Sequence, residues 1–228
     1  MIEQEKQVLV IFPHPDDEAF GVSGTITSYI KQRTPLTYAC LTLGEMGRNL
    51  GKPTFATRES LPEIRRKELM KAAEAMGIED LRMMGLRDKT LEFEDDREMK
   101  DMVRQLIDEL QPSLVISFYP GFAVHPDHEA TARAVVRALR EIDEKDRPKF
   151  HAVAFANDTE EKLGQPDIIN DIRSVQKEKL SAMRAHISQT ARMLEMLEEG
   201  IKVNDPEALK WVTDERFYTY DWNNDNVE

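Results

Sequence analysis

The chain has 228 residues, 40% of them hydrophobic and 32% charged, with a formal net charge of −12. That length suits one α/β domain over residues 1–228 with a sizeable core, and the acidic balance argues against nucleic acid or an anionic membrane as partner. A single cysteine, Cys40, excludes an internal disulfide and a cysteine-based zinc site.

Residues 1–7 are charged and run straight into an apolar stretch, so no secretory signal is expected. No apolar run approaches the roughly 18 residues of a membrane span, and a cytoplasmic protein is expected. Residues 8–12 read as a buried strand of the kind found in parallel sheets. Pro13-His14-Pro15-Asp16-Asp17-Glu18 follows directly, then a helical pattern over 20–30. An imidazole and three carboxylates thus sit beyond the carboxyl end of the first strand, the edge at which open α/β sheets bind ligands. Nitrogen and carboxylate oxygen are the donors of catalytic zinc and related metals. The simpler reading makes Asp16 or Asp17 a helix cap and His14 an ordinary loop histidine.

A second strand is expected over 37–43, with Cys40 as a buried, inert thiol. The loop at 44–57 carries Gly44, Gly47, Gly51 and Pro53 and is long for a strand-to-helix connection, a length usual for functional or disordered loops. Ser60-Leu61-Pro62-Glu63 has the form of a capping box, opening a helix that stops at Gly77. A short third strand falls at 81–86 and an amphipathic helix at 98–110. A fourth strand at 113–119 leads after a short loop to His125-Pro126-Asp127-His128, then a helix over 129–142. Residues 150–156 give strand five. Residues 172–199 read as one long helix or two shorter ones closed by Gly200, followed by a short helix at 206–211 and a last strand at 216–222.

Strands alternating with helices predict a Rossmann-like, doubly wound, mostly parallel sheet. In the order 3-2-1-4-5, strands one and four flank the point where the winding reverses, so the two His-Pro-Asp loops would share one crevice. By composition His-Pro-Asp is expected about 0.02 times by chance; it occurs twice, each time after a predicted strand. A catalytic metal needs three protein ligands and an open position. His14, Asp17 and His128 can supply them, leaving Asp16 and His125 for chemistry, although spacing alone does not say which of Asp16 and Asp17 is the ligand.

The paired motifs His-Pro-Asp-Asp-Glu and His-Pro-Asp-His resemble those of the PIG-L/LmbE family of metal-dependent N-acetylglucosamine deacetylases, over most of the chain. The resemblance implies His14, Asp17 and His128 as metal ligands, Asp16 as general base, and His125 as oxyanion stabiliser with Asp127 beside it. It also matches Lys179 and His186-Ile187-Ser188-Gln189 to a later family stretch, which raises His186 to a substrate-rim or supporting position. Gly44-Glu45-Met46-Gly47-Arg48 and Ile64-Arg65-Arg66-Lys67-Glu68 look closest to the branch that deacetylates N-acetylglucosaminyl malate in bacillithiol biosynthesis. One divalent ion is implied, zinc first, with iron(II), cobalt or manganese also suited to the donor set.

Six basic residues against two acidic ones between positions 48 and 67 suggest an anion pocket, with Arg48 and above all Arg65 as partners for a substrate carboxylate. A solvated helix face explains the same charges. Glu45 and Asp88 are candidates for sugar hydroxyls. Competing readings are a bacillithiol S-conjugate amidase, a deacetylase of another N-acetylglucosamine derivative, an iron oxygenase built on a facial triad, and a non-catalytic metal- or sugar-binding module. A small amino sugar is the expected partner, and a homo-oligomer is compatible with all of these.

Overall fold

The computed structural model describes residues 2–228; residue 1, where the N-terminal expectation begins, lies outside them. Val8–Phe12 forms β1, buried at all five positions. Asp17–Gly21 (α1) and Ser23–Lys31 (α2) follow, then β2 at Leu36–Cys40. Next come α3 (Leu61–Met76), β3 (Asp80–Met83), α4 (Asp96–Leu110) and β4 (Leu114–Phe118). Pro126–Arg140 is α5, Lys149–Val153 β5, Thr159–Leu163 α6 and Ile168–Asp171 β6. Gln176–Ala185 (α7), Ile187–Lys202 (α8), Pro206–Thr213 (α9) and Asp214–Thr219 (β7) complete the order.

One sheet runs β3-β2-β1-β4-β5-β7-β6. The five strands β1 to β5 are parallel in the expected order, and β7 and β6 extend the β5 edge with antiparallel pairing. Because side chains alternate across a strand, β1 feeds two cores. Val8, Val10 and Phe12 pack on one face with residues of α2, α3 and α7, and Leu9 and Ile11 on the other with residues of α4 and α5. A strand buried on both faces has no polar side, which is why it reads as an unbroken apolar run. No described helix is long and apolar enough to cross a membrane.

Several local expectations are corrected. The helix at 20–30 is two helices broken at Val22 (φ −145°), and Glu215 from β7 caps the second by accepting the amides of Gly24 and Thr25 at 2.8 and 2.6 Å. The capping box at Ser60 does not form: its hydroxyl accepts the Thr57 amide upstream at 2.8 Å instead. Of the two readings for residues 172–199 the structure has two shorter helices, parted at His186 and preceded by a short 3-10 turn at Arg173–Val175. Gly200 does not close α8. It lies within the helix, where a Cβ would come 2.5 Å from that of Ala208 on α9. Neither β6 nor α6 was signalled by a clear apolar period.

Candidate active site

The loops after β1 and β4 meet, because those strands are neighbours. His14 Nδ1 and His128 Nε2 stand 3.2 Å apart. The Asp17 carboxylate lies 3.5 Å from the first and 3.3 Å from the second. The two contacts use different Asp17 oxygens, and each separation is close to the roughly 3.3–3.4 Å between donors that lie about 2.0–2.1 Å from a tetrahedral zinc.

The outer nitrogens fix the tautomers. His14 Nε2 donates to Asp127 at 3.0 Å and lies 3.1 Å from Asp88. His128 Nδ1 donates to the Ala123 carbonyl at 3.1 Å. In the neutral imidazoles the two remaining lone pairs therefore face one another, an arrangement that calls for a cation between them. Burial works against a charged His14, but Asp127, Asp17 and Asp88 outweigh it and raise its pKa well above the usual imidazole value. Burial would likewise push the Asp17 carboxyl up, yet His128 and His14 hold it far below the carboxylate range. The residues fit a divalent ion. Two overlapping groups have metal-like spacing, His14 with His125 and His128, and His14 with Asp88 and Asp127. The second lies on the Nε2 side, and its aspartates serve to orient His14.

Asp127 is fully buried and accepts the Lys89 and Leu91 amides at 2.7 and 3.2 Å besides meeting His14. It is a support beneath the imidazole, as is Asp88, whose second oxygen accepts the Met46 amide at 2.8 Å. Both Asp88 oxygens are thus engaged, and the expectation that it faces a sugar hydroxyl gives way to this inner position. Glu45 accepts the Asp88 amide at 3.2 Å through one oxygen, while the other is buried without a partner among the described residues. His125 caps α5, its Nδ1 accepting the Asp127 amide at 3.1 Å, which leaves Nε2 to carry the hydrogen. Burial, with the neighbouring His14 and His128, lowers its pKa and favours the neutral ring.

Asp16 has φ +97°, a left-handed conformation that costs a non-glycine residue free energy. Glu18 holds it there: one oxygen accepts the Asp16 amide at 3.1 Å and the Tyr38 hydroxyl at 2.9 Å, the other meets His186 Nε2 at 2.6 Å. His186 is fully buried, so it supports Glu18 and does not line a substrate rim. Burial disfavours its charged form, but Glu18 and Asp16 outweigh that and raise its pKa. Arg65 is also corrected. It is 4% exposed, donates to the Gly44 carbonyl at 2.7 Å and to that of Pro15, and pairs with Asp16 at 3.2 Å. A Cβ on Gly44 (φ +60°) would fall 1.8 Å from this guanidinium. Burial pushes the Asp16 carboxyl up to about 6, against the Arg65 cation and with help from Asp17. Arg48 is exposed on the 44–57 loop. That loop is tied to α8 by reciprocal Asn49–Gln189 amide bonds of 2.8 Å and by the Gly51 amide donating to Ser188 at 3.0 Å.

The supporting parts of Glu18, Tyr38, Glu129 and Glu68, whose carboxylate accepts the Ser188 amide and hydroxyl at 2.8 and 2.6 Å, are not among the roles expected from the sequence. Glu18 and Glu129 lie in or just after the two motifs, and a glutamate in a first helical turn is a signal for a side chain reaching back to loop amides. Tyr38 and Glu68 carry no such signal, being one residue in a strand and one in a charged helix.

The family described as "PIG-L: GlcNAc-PI de-N-acetylase" matches residues 9–139. A protein of Bacillus subtilis strain 168 named "Probable N-acetyl-alpha-D-glucosaminyl L-malate deacetylase 2" is 51% identical over 219 residues, 96% of this chain and 99% of the relative. Among solved structures, the N,N'-diacetylchitobiose deacetylase of Pyrococcus horikoshii superposes with a TM-score of 0.71 at 25% identity, covering 95% of this chain and 84% of that one. The 4-carboxy-2-hydroxymuconate hydratase of Pseudomonas putida KT2440 shares the fold, with a TM-score of 0.73 at 21% identity over 98% and 100% of the two chains. The matched segment holds both His-Pro-Asp loops and the strands that bring them together, and a relative named as a probable deacetylase is 51% identical over nearly the whole chain: the chain belongs to the PIG-L family.

Proposed function

We propose that the chain is a metal-dependent hydrolase that removes the acetyl group from N-acetylglucosaminyl malate, as in bacillithiol biosynthesis. The observation that carries the chemistry is the donor group of His14, Asp17 and His128, with Asp16 and His125 at its border. The substrate follows the relative named for it, 51% identical over nearly its whole length. The same reading makes this a single-domain cytoplasmic enzyme acting on a small amino sugar, with zinc as the first candidate metal.

His14, Asp17 and His128 would hold the ion. When bound, such a metal lowers the pKa of water toward about 7 and polarises an acyl carbonyl. Asp16 takes the proton of the attacking water and then delivers it to the departing amine, one group serving both halves of the reaction. The Arg65 cation favours the ionised form of Asp16, and Glu18 holds its backbone through the Asp16 amide, a stricter task for Arg65 than the substrate contact expected of it. His125 donates its Nε2 hydrogen to the tetrahedral oxyanion, and removal of one such donor typically lowers kcat by about 10²–10³. The malate carboxylates are assigned to Arg48, which is exposed.

The test is amine release from N-acetylglucosaminyl malate, N-acetylglucosamine, diacetylchitobiose and a bacillithiol S-conjugate by metal-loaded protein. Highest kcat/KM on the malate glycoside is expected; preference for the conjugate would overturn the substrate assignment. Asp16→Asn should keep its metal and lose about 10²–10⁴ in kcat. Near-normal turnover in that variant would remove Asp16 from its role.

A further inference from the structure

The loop between β4 and α5 carries a backbone arrangement that the chemistry above does not explain. Val124 has φ +65°, rare for a β-branched residue, and is exposed. Across it the His125 amide donates to the Ala123 carbonyl at 2.7 Å, which closes a γ-turn of the positive-φ, more strained kind. That carbonyl is also the acceptor for His128 Nδ1 at 3.1 Å. One oxygen therefore sets the start of His125 and the tautomer of His128.

Strained turns persist only where their surroundings over-determine them. Here the constraint comes from Glu129, in the first turn of α5. Its two carboxylate oxygens accept the Gly121 amide at 2.6 Å and the Ala123 amide at 2.7 Å. Its own amide donates to the His125 carbonyl at 3.0 Å. Charge-assisted hydrogen bonds of this length are the stronger class, and two on one carboxylate fix direction as well as distance. The Phe122 carbonyl between the two held amides accepts the Phe155 and Ala156 amides at 3.0 and 3.1 Å, so the loop is anchored from the end of β5 too.

We infer that Glu129 is a positioning residue for the metal centre: by clamping the Gly121 and Ala123 amides it keeps the Ala123 carbonyl against His128 Nδ1, which presents Nε2 to the ion. The inference rests on the proposed role of His128 as a ligand. It differs from a role in folding alone because the clamp acts on the aim of one imidazole, through one peptide group.

The experiment measures the dissociation constants of zinc and cobalt(II) by chelator competition for wild type, Glu129→Ala, Glu129→Gln and His128→Ala. The melting temperature of each metal-free protein is recorded alongside. Loss of a group supporting a metal-bound histidine typically weakens binding about 10–100-fold. A rise of about tenfold is expected for Glu129→Ala. Glu129→Gln keeps one acceptor and turns an NH₂ toward the other amide, so a rise of the same order and an altered cobalt absorption band are expected. If the alanine variant does not fold, the glutamine variant, of equal size, decides. Wild-type metal affinity in a folded Glu129 variant, even with a lowered metal-free melting temperature, overturns the positioning role while His128→Ala still loses metal. Wild-type affinity in His128→Ala overturns the ligand assignment itself, and the clamp falls with it.

Discussion

Asp16 concentrates the demands made on this site. Its backbone lies at φ +97°, its side chain is about a quarter exposed, and Asp17 and Glu18 add like charge beside it. Only Arg65 lies at ion-pair distance among the described residues, at 3.2 Å. Burial pushes the Asp16 carboxyl up to about 6, and the Arg65 cation works the other way. The form needed to accept a proton is the carboxylate, so kcat/KM should fall as pH drops through this pKa. A bound cation would draw that limb lower still. Arg65→Gln removes the opposing charge, so the acid limb should move to higher pH, with kcat reduced and KM for the malate glycoside little changed. Arg65→Lys retains the charge and should return the limb part of the way. A pH–rate profile checks both. A limb at the wild-type position in Arg65→Gln, or a loss confined to KM, would return Arg65 to the substrate-binding role read from the sequence.

At the scale of elements, the two strand-to-helix loops are built alike. In each, a glutamate from or near the first turn of the following helix reaches back to loop amides, Glu18 to Asp16 and Glu129 to Gly121 and Ala123. Each loop holds one non-glycine residue at positive φ beside a site histidine or aspartate. Farther back, Lys179 of α7 donates to Glu215 of β7 at 2.6 Å and to the Phe20 carbonyl at 3.0 Å, both side chains being almost fully buried. The pair ties the end of α1, the start of α2 and the antiparallel edge of the sheet together. Removing one member leaves a buried charge unpaired, which typically costs about 3–5 kcal/mol. Lys179→Met should therefore lower Tm by roughly 10 °C, at about 2–4 °C per kcal/mol for a domain of this size. Thermal unfolding followed by circular dichroism checks this; an unchanged Tm would mean that Glu215 is satisfied by the Gly24 and Thr25 amides alone.

The elements also mark where the sequence was readable. Residues 8–12, 114–118 and the helix that ends at Gly77 were legible because burial on two faces, or amphipathic period plus a left-handed stop, leaves a local signature. The break at Val22 and the cap on α2 were not, since the capping group comes from Glu215, 190 residues away. The meeting of the two His-Pro-Asp loops was legible because each motif is local and the strand order follows a general rule. The surroundings of Arg65 and His186 were not: a charged helix and a lone histidine read alike whether they face water or a buried carboxylate.

For the whole molecule, the consequence of the doubly wound order is that β1 and β4 lie side by side at the reversal of winding, so two loops more than a hundred residues apart converge. The convergence gathers Asp17, Asp88 and Asp127 around His14, with Asp16 on the same loop, in a chain already carrying a net charge of −12. Without a cation these carboxylates repel, and backbone amides, imidazole protonation and Arg65 offset them in part. A metal that binds the folded chain and not the unfolded one adds RT ln(1 + [M]/Kd) to stability, about 2.7 kcal/mol at a hundred times Kd. Metal-loaded protein should then melt about 5–10 °C above chelator-treated protein, by the same scaling of Tm with free energy. The difference should widen with rising pH from 5 to 8, because metal binding must displace the proton that the surrounding carboxylates favour on His14. In His128→Ala it should vanish. Equal melting temperatures for loaded and chelated wild type across that range would mean that the carboxylates are balanced within the protein and that the crevice holds no ion of consequence to the fold.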